Sequence, residues 1–226
     1  TNAKKLSWIL KINGDSMNLV LVGAPLSGKG TQAELIVKKF GLVHISTGDM
    51  FREIMASDSP LSSQVKSFLD KSILVPDEIT LKVLQEKLSS LDAPKGVLLD
   101  GFPRTLYQAQ KLDEILQIDK VIYLKAELSD LLSRVAGRYI CEKCKKINTI
   151  NENIIPNCTN CGGKLIKRRD DTPEIVKNRF YEFMDNTYPL INFYQSQGKL
   201  FEVDSSQPIN DIFRKIESCL KSIEND

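Results

Sequence analysis

The chain has 226 residues, 42% hydrophobic and 27% charged, which is the composition of an ordinary globular protein able to bury one sizeable core. Its 31 Lys and Arg residues nearly balance 29 Asp and Glu, so a formal net charge of +2 gives little reason to expect nucleic acid or an anionic membrane surface as a partner. No apolar stretch is long enough to span a bilayer, and residues 1–16 lack a signal-peptide pattern, so we expect one principal domain without a transmembrane segment.

The first predicted elements are a strand and a helix joined by a glycine-rich turn. Residues Met17 to Gly23 form a nearly continuous apolar run, typical of a buried strand in a parallel sheet. From Gly30 to Phe40 the apolar residues suit a helix, which Gly41 is expected to end.

The turn between these elements has the spacing of a phosphate-binding loop. Gly23-Ala-Pro-Leu-Ser-Gly28-Lys29 matches the Walker A pattern Gly-x4-Gly-Lys, with Gly30 in place of the usual Ser or Thr and Thr31 next. A strand precedes the loop and a helix follows it. Backbone N–H groups and the helix N-terminus would therefore converge on a triphosphate, with Lys29 supplying a positive charge.

Four further apolar runs predict strands, at Leu42 to Ile45, Val97 to Leu99, Val121 to Leu124 and Leu200 to Val203. Helical stretches alternate with them, and this alternation favours an α/β fold with a doubly wound, parallel sheet of five strands. Two regions interrupt the alternation. Met50 to Ser90 is mostly helical without a strand, and Arg138 to Asp171 is polar and carries cysteines. We interpret both as insertions at the edge of the sheet.

Four of the five cysteines form two Cys-x-x-Cys pairs. Cys141 and Cys144 are separated by thirteen residues from Cys158 and Cys161, and four thiolates in this pattern suit a tetrahedral Zn²⁺. A closed shell of four cysteines leaves no open coordination position, so the metal is predicted to be structural and to stabilise a lobe too polar for its own core. The alternative is a lobe that keeps the cysteines without a metal. Cys219 is expected to be an ordinary apolar helix residue.

Three motifs in order resemble the adenylate kinases. They are the Gly-Lys-Gly-Thr31 form of the phosphate loop, His44-Ile-Ser-Thr-Gly-Asp-Met-Phe-Arg52, and Leu99-Asp-Gly-Phe-Pro-Arg104. The resemblance resumes at Arg134-Val-Ala-Gly-Arg138, at Arg168-Arg-Asp-Asp171 and at Arg179, and covers nearly the whole chain after about Met17. It implies a P-loop NTPase core (17–46, 91–137 and 172–226), a helical insertion that binds the monophosphate (47–90), and a small, zinc-ribbon-like lid (138–171). Residues 1–16 would be an N-terminal extension.

The resemblance also implies a reaction, the reversible, Mg²⁺-dependent transfer of a phosphoryl group from ATP to AMP, giving two ADP. Such an enzyme serves nucleotide homeostasis. The reaction brings two polyanions together, and arginine forks can offset their repulsion. By similarity, the catalytic residues would be Lys29, Asp100, Arg104, Arg134, Arg138, Arg168 and Arg179. No general base is needed, because the acceptor is already a phosphate oxygen.

Two binding sets follow from the same resemblance. The donor ATP would contact Pro25, Leu26, Ser27, Gly28, Lys29, Gly30, Thr31, Arg134, Arg138, Ile147, Asn148 and Gln207. The acceptor AMP would contact Thr47, Arg52, Ile73, Leu74, Val75, Gly101, Phe102, Pro103, Arg104, Gln108, Arg168 and Arg179. The amide of Gln108 can both donate to and accept from an adenine edge.

Three aspartates complete the expected site. Asp100 ends a predicted strand, where its carboxylate can hold Mg²⁺ through the water shell of the ion, and it resembles the metal-organising aspartate of the family. Asp170 and Asp171 resemble lid aspartates that position arginines without touching substrate.

The chain departs from the family pattern at two positions. Leu26 stands where the phosphate loop usually has glycine, so the local backbone or the donor affinity could differ. Asn148 stands where the lid often has a tyrosine beside the donor base, which leaves ATP or GTP open as the donor.

The sequence leaves two other functions open. One is a related kinase with another nucleotide pair, such as a GTP:AMP phosphotransferase. A UMP/CMP kinase fits less well, because such enzymes usually lack the long lid. The other is a zinc-ribbon module for nucleic acid, which the balanced charge and the scarcity of aromatic residues near the cysteines oppose, Tyr139 being the one nearby.

The sequence further predicts a cytoplasmic monomer whose partners are the nucleotides ATP or GTP, AMP and ADP, with no nucleic acid. The chain does not begin with Met, so a mitochondrial or lipid-anchored location stays open as well.

Overall fold

The computed structural model describes residues 16–70, 75–144, 146–150, 157–167 and 171–224. In chain order the elements are β1 (Leu19–Gly23), α1 (Lys29–Phe40), β2 (Val43–Ser46), α2 (Thr47–Met55), α3 (Leu61–Leu69), α4 (Asp77–Ser89), β3 (Val97–Asp100), α5 (Leu106–Asp113), β4 (Lys120–Lys125), α6 (Leu128–Gly137), β5 (Arg138–Cys141), β6 (Ile147–Thr149), β7 (Leu165–Ile166), α7 (Pro173–Glu182), a π-helical turn (Phe183–Thr187), α8 (Pro189–Ser196), β8 (Leu200–Asp204) and α9 (Ile209–Glu224). The expected N-terminal extension lies almost entirely outside the described residues.

The central sheet has five parallel strands in the order β2-β3-β1-β4-β8. Each predicted strand is found within two residues of its expected bounds, and the predicted fold class is confirmed. Register places Leu21 of β1 beside Asp100 of β3, and Gly23 beside Leu124 of β4. The carboxyl ends of these strands therefore meet at one edge, where ligands bind in open α/β sheets.

Alternate side chains of the strands pack into two separate hydrophobic cores, one on each face of the sheet. Leu19 and Leu21 of β1 pack with α1 and α9 on one face, whereas Val20 and Val22 pack with the remaining core helices on the other. Both sets are almost fully buried, which explains why β1 has a continuous apolar sequence and no alternation. Helices on both faces make the sheet doubly wound.

The described part of the region between β2 and β3 forms three helices, where the sequence predicts a mostly helical segment. Ser46 caps α2, since its hydroxyl accepts a hydrogen bond from the N–H of Asp49 at 3.2 Å. Helix α4 begins after Pro76 with Asp77 and Glu78 in its first turn, where negative charge favours the helix dipole. The three helices pack on one another and bury Ile54, Val65 and Leu84 in the core that also contains Val20 and Val22.

The cysteine-bearing region forms a second, antiparallel sheet in the order β6-β5-β7. It leaves the core at the end of α6. Its apolar cluster holds Cys141, Cys158 and Leu165, with few partly buried neighbours. A cluster of this size supplies little hydrophobic stabilisation, which is the condition under which a bound metal contributes most to folding.

The C-terminal part of the chain completes the core. Thr172 caps α7 by accepting from the N–H of Ile175 at 3.3 Å, and α9 packs its buried residues Ile212, Ile216 and Leu220 against α1. Cys219 lies in α9 and is partly exposed. Across the described ranges, no helix combines the length and the apolar character that crossing a membrane requires.

Candidate functional site

The glycine-rich turn lies at the carboxyl edge of the sheet and opens directly into α1. Gly28, the residue before the helix, has a φ of 94°, a conformation that glycine adopts without strain. The Lys29 ammonium group donates to the carbonyls of Gly23 at 2.6 Å and Ala24 at 2.9 Å. The lysine is thus folded back over its own loop, above the N-terminus of α1, where backbone N–H groups and the helix dipole favour an anion.

Lys29 has an unusual electrostatic environment. Burial lowers its pKa from the ordinary value of 10.5 to about 8, the nearby Asp100 opposes this change, and the positive charges of Arg104 and Arg138 add to it. These four side chains come from widely separated parts of the chain. Their mutual influence shows that the fold brings together predicted catalytic residues from the phosphate loop, β3, the segment after β3 and the start of the lid.

Leu26 has a left-handed backbone, with φ at 67°, and it is the one non-glycine residue with positive φ in the described chain. Such a conformation costs about 1–3 kcal/mol outside glycine. The side chain of Leu26 packs against the core that contains Val20 and Val22, and this burial offsets part of that cost. The leucine therefore holds a backbone conformation that glycine adopts without strain, and the expected effect on donor affinity stays a prediction.

Arg134 connects the phosphate loop to the opposite side of the site. Its guanidinium group donates to the carbonyl of Leu26 at 2.9 Å and to the carbonyl of Ser205, in the loop that follows β8. Arg134 lies in the last turn of α6, one turn before the lid begins. A predicted donor-binding arginine thus lies directly over the loop that would hold the donor phosphates.

Arg104 is held by the segment that follows β3. Its Nε donates to the carbonyl of Gly101 at 2.7 Å, and its Nη2 lies 3.3 Å from Oγ1 of Thr47. Gly101 has a φ of 76°, and a Cβ there would lie 2.5 Å from the Thr47 hydroxyl, so only glycine fits. Thr187, at the end of the π-helical turn, donates to the Arg104 carbonyl at 2.9 Å. These three hydrogen bonds hold the side chain and the backbone of Arg104 in place.

Gln108 is buried, with 4% of its surface exposed, and its amide is bonded at both ends. Oε1 accepts from the backbone N–H of Arg104 at 2.6 Å, and Nε2 donates to Oδ1 of Asp77 at 2.7 Å. The other carboxylate oxygen of Asp77 accepts from the Thr105 hydroxyl at 2.6 Å. The sequence alone therefore identified Gln108 as a candidate but missed its partner Asp77.

Asp100 ends β3 next to the phosphate loop, and its Oδ2 lies 3.6 Å from Nε2 of His44. Its side chain is 16% exposed, so the carboxylate reaches the edge of the site. Mg²⁺ binds through one or two carboxylates together with substrate phosphates and water. One carboxylate beside a phosphate loop, with Thr31 exposed on the first turn of α1, fits that ligand set.

An ion pair joins the first residue of the lid to its last. Arg138 lies 3.3 Å from the buried carboxylate of Asp171, whose side chain is 2% exposed. Burial lowers the pKa of Arg104, and the positive charge of Arg179, on α7, adds to this change, so the two arginines lie near each other. Arg168 and Asp170 fall outside the described residues, as do Ile73 and Leu74.

The remaining predicted residues differ in their burial and in their local contacts. Val75, Phe102 and Pro103 are buried, whereas Gly30 and Ile147 are exposed and Pro25, Ser27 and Gln207 line the loops near the carboxyl edge. Arg52 pairs with Asp49 on the exposed side of α2.

The side chain of Asn148 points towards the cysteines of the lid. Its amide donates to the Lys146 carbonyl at 3.0 Å and lies 3.8 Å from the Cys158 sulfur. The expected contact of Asn148 with a donor base stays a prediction.

The four cysteines of the lid form one compact cluster. Their sulfurs all lie within 4.8 Å of one another, with Cys141 and Cys161 at 3.5 Å and Cys144 and Cys158 at 3.6 Å. A tetrahedral zinc with bonds of about 2.3 Å would separate its sulfurs by about 3.8 Å. The spacing fits that ion, and the cluster is able to hold a metal such as zinc.

The structure adds three hydrogen bonds that the sequence did not indicate. The carbonyl of Ser205 accepts a hydrogen bond from the Arg134 guanidinium group. The Asp77 carboxylate accepts hydrogen bonds from the Gln108 amide and the Thr105 hydroxyl. Asp77 follows a proline at the start of a helix, a position where an acidic residue ordinarily serves the helix itself. Ser205 contributes through its main chain, for which the sequence carries no signal.

Comparison with known proteins gives a consistent result. A family model described as "Adenylate kinase" matches residues 21–199. A curated protein of Bacillus pumilus named "Adenylate kinase" is 44% identical over 215 residues, covering 90% of this chain and 98% of that protein. One of Listeria innocua with the same name is 45% identical over 214 residues, covering 91% of this chain and all of the relative.

Proposed function

Because the chain belongs to the adenylate kinase family and is a nucleoside monophosphate kinase that binds nucleotides, we propose that it transfers the γ-phosphoryl group of Mg-ATP reversibly to AMP, giving two ADP. The observation that carries this proposal is the position of Lys29 at the carboxyl edge of the sheet, folded over the phosphate loop and close enough to Asp100, Arg104 and Arg138 for their charges to act on its pKa. Concentrated positive charge above a helix N-terminus is what two facing polyphosphates require.

The acceptor side is formed by the helical insertion (47–90) and the segment after β3. We assign the AMP phosphate to Arg104 and Arg52, and the base to the pocket of Thr47, Val75 and Gln108. Arg104 is already fixed by Gly101 and Thr47, so little conformational entropy is lost when it binds phosphate.

The donor side is formed by the phosphate loop and the lid (138–171). The backbone of residues 23–31 would hold the β- and γ-phosphates, and Lys29 would leave the carbonyls of Gly23 and Ala24 to follow the transferring group. Arg134 would exchange the carbonyl of Leu26 for the donor, and Arg138 would be steadied by Asp171.

Asp100 would orient the water shell of a magnesium ion that travels with the triphosphate. When bound, that ion neutralises charge on the β- and γ-oxygens. The role of the protein is to exclude water and to align the two phosphates, since no side chain has to remove a proton from the acceptor.

One experiment tests the proposed function. AMP, CMP, UMP and GMP are supplied separately with ATP or with GTP, and diphosphate formation is followed. We expect AMP with ATP to give the highest kcat/KM. A higher kcat/KM with GTP would make the chain a GTP:AMP phosphotransferase, and no turnover with AMP would overturn the proposal.

We further propose that the protein acts as a cytoplasmic monomer whose partners are nucleotides, without nucleic acid.

We expect about one zinc ion per chain in protein purified under reducing conditions without chelator, since four thiolates make one tetrahedral site. Cys144→Ser should lose the metal, lower the melting temperature and raise KM for the donor more than KM for AMP, because only the lid depends on the ion. Cys219→Ser, which changes a cysteine of α9 instead, is the matched control. Metal analysis and donor titration would contradict a structural zinc if the Cys144 variant kept its zinc and its donor affinity.

The lowered pKa of Lys29 predicts a pH dependence. The charged ammonium is the form that binds phosphate, and in the free enzyme it is lost as pH rises through about 8. We therefore expect kcat/KM for the donor to be constant with respect to this group below pH 8 and to fall about tenfold per pH unit well above it. A bound triphosphate stabilises the charged form, so kcat at saturation should stay level to a higher pH. Initial rates between pH 6.5 and 9.5 would check this, and a level kcat/KM throughout would contradict it.

A further inference from the structure

Asp77, the first residue of α4, makes contacts that helix capping does not explain. Both of its carboxylate oxygens reach across to the N-terminal turn of α5, one to the Gln108 amide at 2.7 Å and one to the Thr105 hydroxyl at 2.6 Å. Asp77 belongs to the helical insertion, whereas Thr105 and Gln108 belong to the core. The network is well shielded, with Gln108 buried and Asp77 and Thr105 partly buried.

The partners of Gln108 determine which way its amide points. A glutamine amide is nearly symmetric in shape, and turning it over exchanges a donor for an acceptor. Here a carboxylate, which only accepts, faces Nε2, and a backbone N–H, which only donates, faces Oε1. Turning the amide over would set oxygen against the Asp77 carboxylate and an NH₂ group against the Arg104 N–H. Asp77 and Arg104 therefore permit one orientation.

This matters for base recognition, because an unconstrained glutamine fits two opposite base edges. Its amide retains one lone pair on Oε1 and one N–H on Nε2 after the two protein contacts are made. Adenine offers an amino donor at position 6 and an acceptor at N1, which match that pair. Hypoxanthine and guanine offer a carbonyl at position 6 and an N–H at position 1, which match the pair only after the amide is turned over.

We propose that Asp77 is a specificity-determining residue of the acceptor site: it locks the Gln108 amide in the orientation that accepts a 6-amino purine monophosphate and rejects a 6-oxo one. The inference rests on the proposed function, since it assumes that Gln108 meets the acceptor base. Asp77 acts through Gln108 and is a positioning residue.

The most selective probe is the comparison of AMP with inosine monophosphate. The two differ only in the donor and acceptor pattern at positions 6 and 1, and inosine monophosphate lacks the 2-amino group that could exclude GMP by size. The kcat/KM of each acceptor is measured at saturating donor for the wild type, Asp77→Asn and Asp77→Ala. Asp58→Asn, an exposed aspartate of the same helical insertion, is the matched control.

For Asp77→Asn we expect the ratio of kcat/KM for AMP to that for inosine monophosphate to fall at least about tenfold, because asparagine can present either its oxygen or its NH₂ group to Gln108. The ratio should stay above one, since the Arg104 N–H still favours one orientation. Asp77→Ala should lower it as well, and Asp58→Asn should leave it unchanged.

Three results would distinguish a specificity role of Asp77 from a structural one and from a failure of the proposed function. An unchanged ratio in both Asp77 variants, even with a lower melting temperature or lower kcat/KM for both acceptors, would overturn the proposal and leave Asp77 a structural contact. A wild type that uses both monophosphates equally would also overturn it. A wild type without activity on AMP would instead refute the proposed function on which the inference rests. Thermal denaturation of every variant excludes misfolding as the cause of a change in ratio.

Discussion

Lys29→Met is expected to lower kcat at least about 100-fold, which corresponds to roughly 2.7 kcal/mol in the activation barrier, while the protein stays folded. The ammonium group is the one flexible positive charge of the phosphate loop, and it sits within the influence of Asp100, Arg104 and Arg138. It can move with the transferring phosphoryl group, whose charge is spread over several oxygens in the transition state.

Stability should change little in this variant. Burial penalises the charged form of Lys29, as its lowered pKa shows, and methionine keeps most of the apolar stem without that penalty. We therefore expect a melting temperature equal to or slightly above that of the wild type. Lys38→Met, an exposed lysine of α1, is the matched control and should retain full turnover. Retained turnover above about a tenth of wild type in Lys29→Met would refute the assignment of the phosphate loop.

Arg104→Ala is expected to lower kcat/KM for AMP about 100-fold or more, close to 3 kcal/mol, since charge-assisted bidentate contacts to phosphate are among the strongest hydrogen bonds. Binding of the triphosphate should weaken far less, because Arg104 is fixed by Gly101 and Thr47 on the acceptor side. Calorimetric titration with each nucleotide separately measures the two losses.

Two further variants make this result interpretable. Arg104→Lys keeps the charge but not the guanidinium fork, so it should recover only part of the AMP affinity. Arg214→Ala, which removes an exposed arginine of α9, should leave both affinities unchanged. Equal losses for AMP and the triphosphate in Arg104→Ala would move Arg104 out of the acceptor site.

The zinc, pH and Asp77 predictions concern separate parts of the molecule. The Cys144 variant tests the lid, the pH profile tests the charge state of the phosphate loop, and the Asp77 variants test the acceptor base. Each of these measurements therefore addresses a different part of the proposed function.

Much of this protein is determined by local sequence. The Walker spacing from Gly23 to Lys29 is a continuous segment, so its residues and their neighbours suffice to place the loop between a strand and a helix. The same holds for the two Cys-x-x-Cys pairs, each of which is a single turn. Apolar runs such as that of β1 are buried on both faces, and this pattern predicted the parallel sheet and its covering helices.

The partners of individual side chains were decided only by the tertiary structure. Gln108 and Asp77 are 31 residues apart in sequence, and Arg134 and Ser205 are 71 apart, with the second contact made by a main-chain carbonyl. The side-chain amide of Asn148 lies 3.8 Å from the Cys158 sulfur, a contact that the sequence did not indicate. Periodicity reports which face of an element is buried, whereas the choice of partner depends on how helices and loops dock. That choice is set by packing energy distributed over the whole core, and no short segment of sequence carries it.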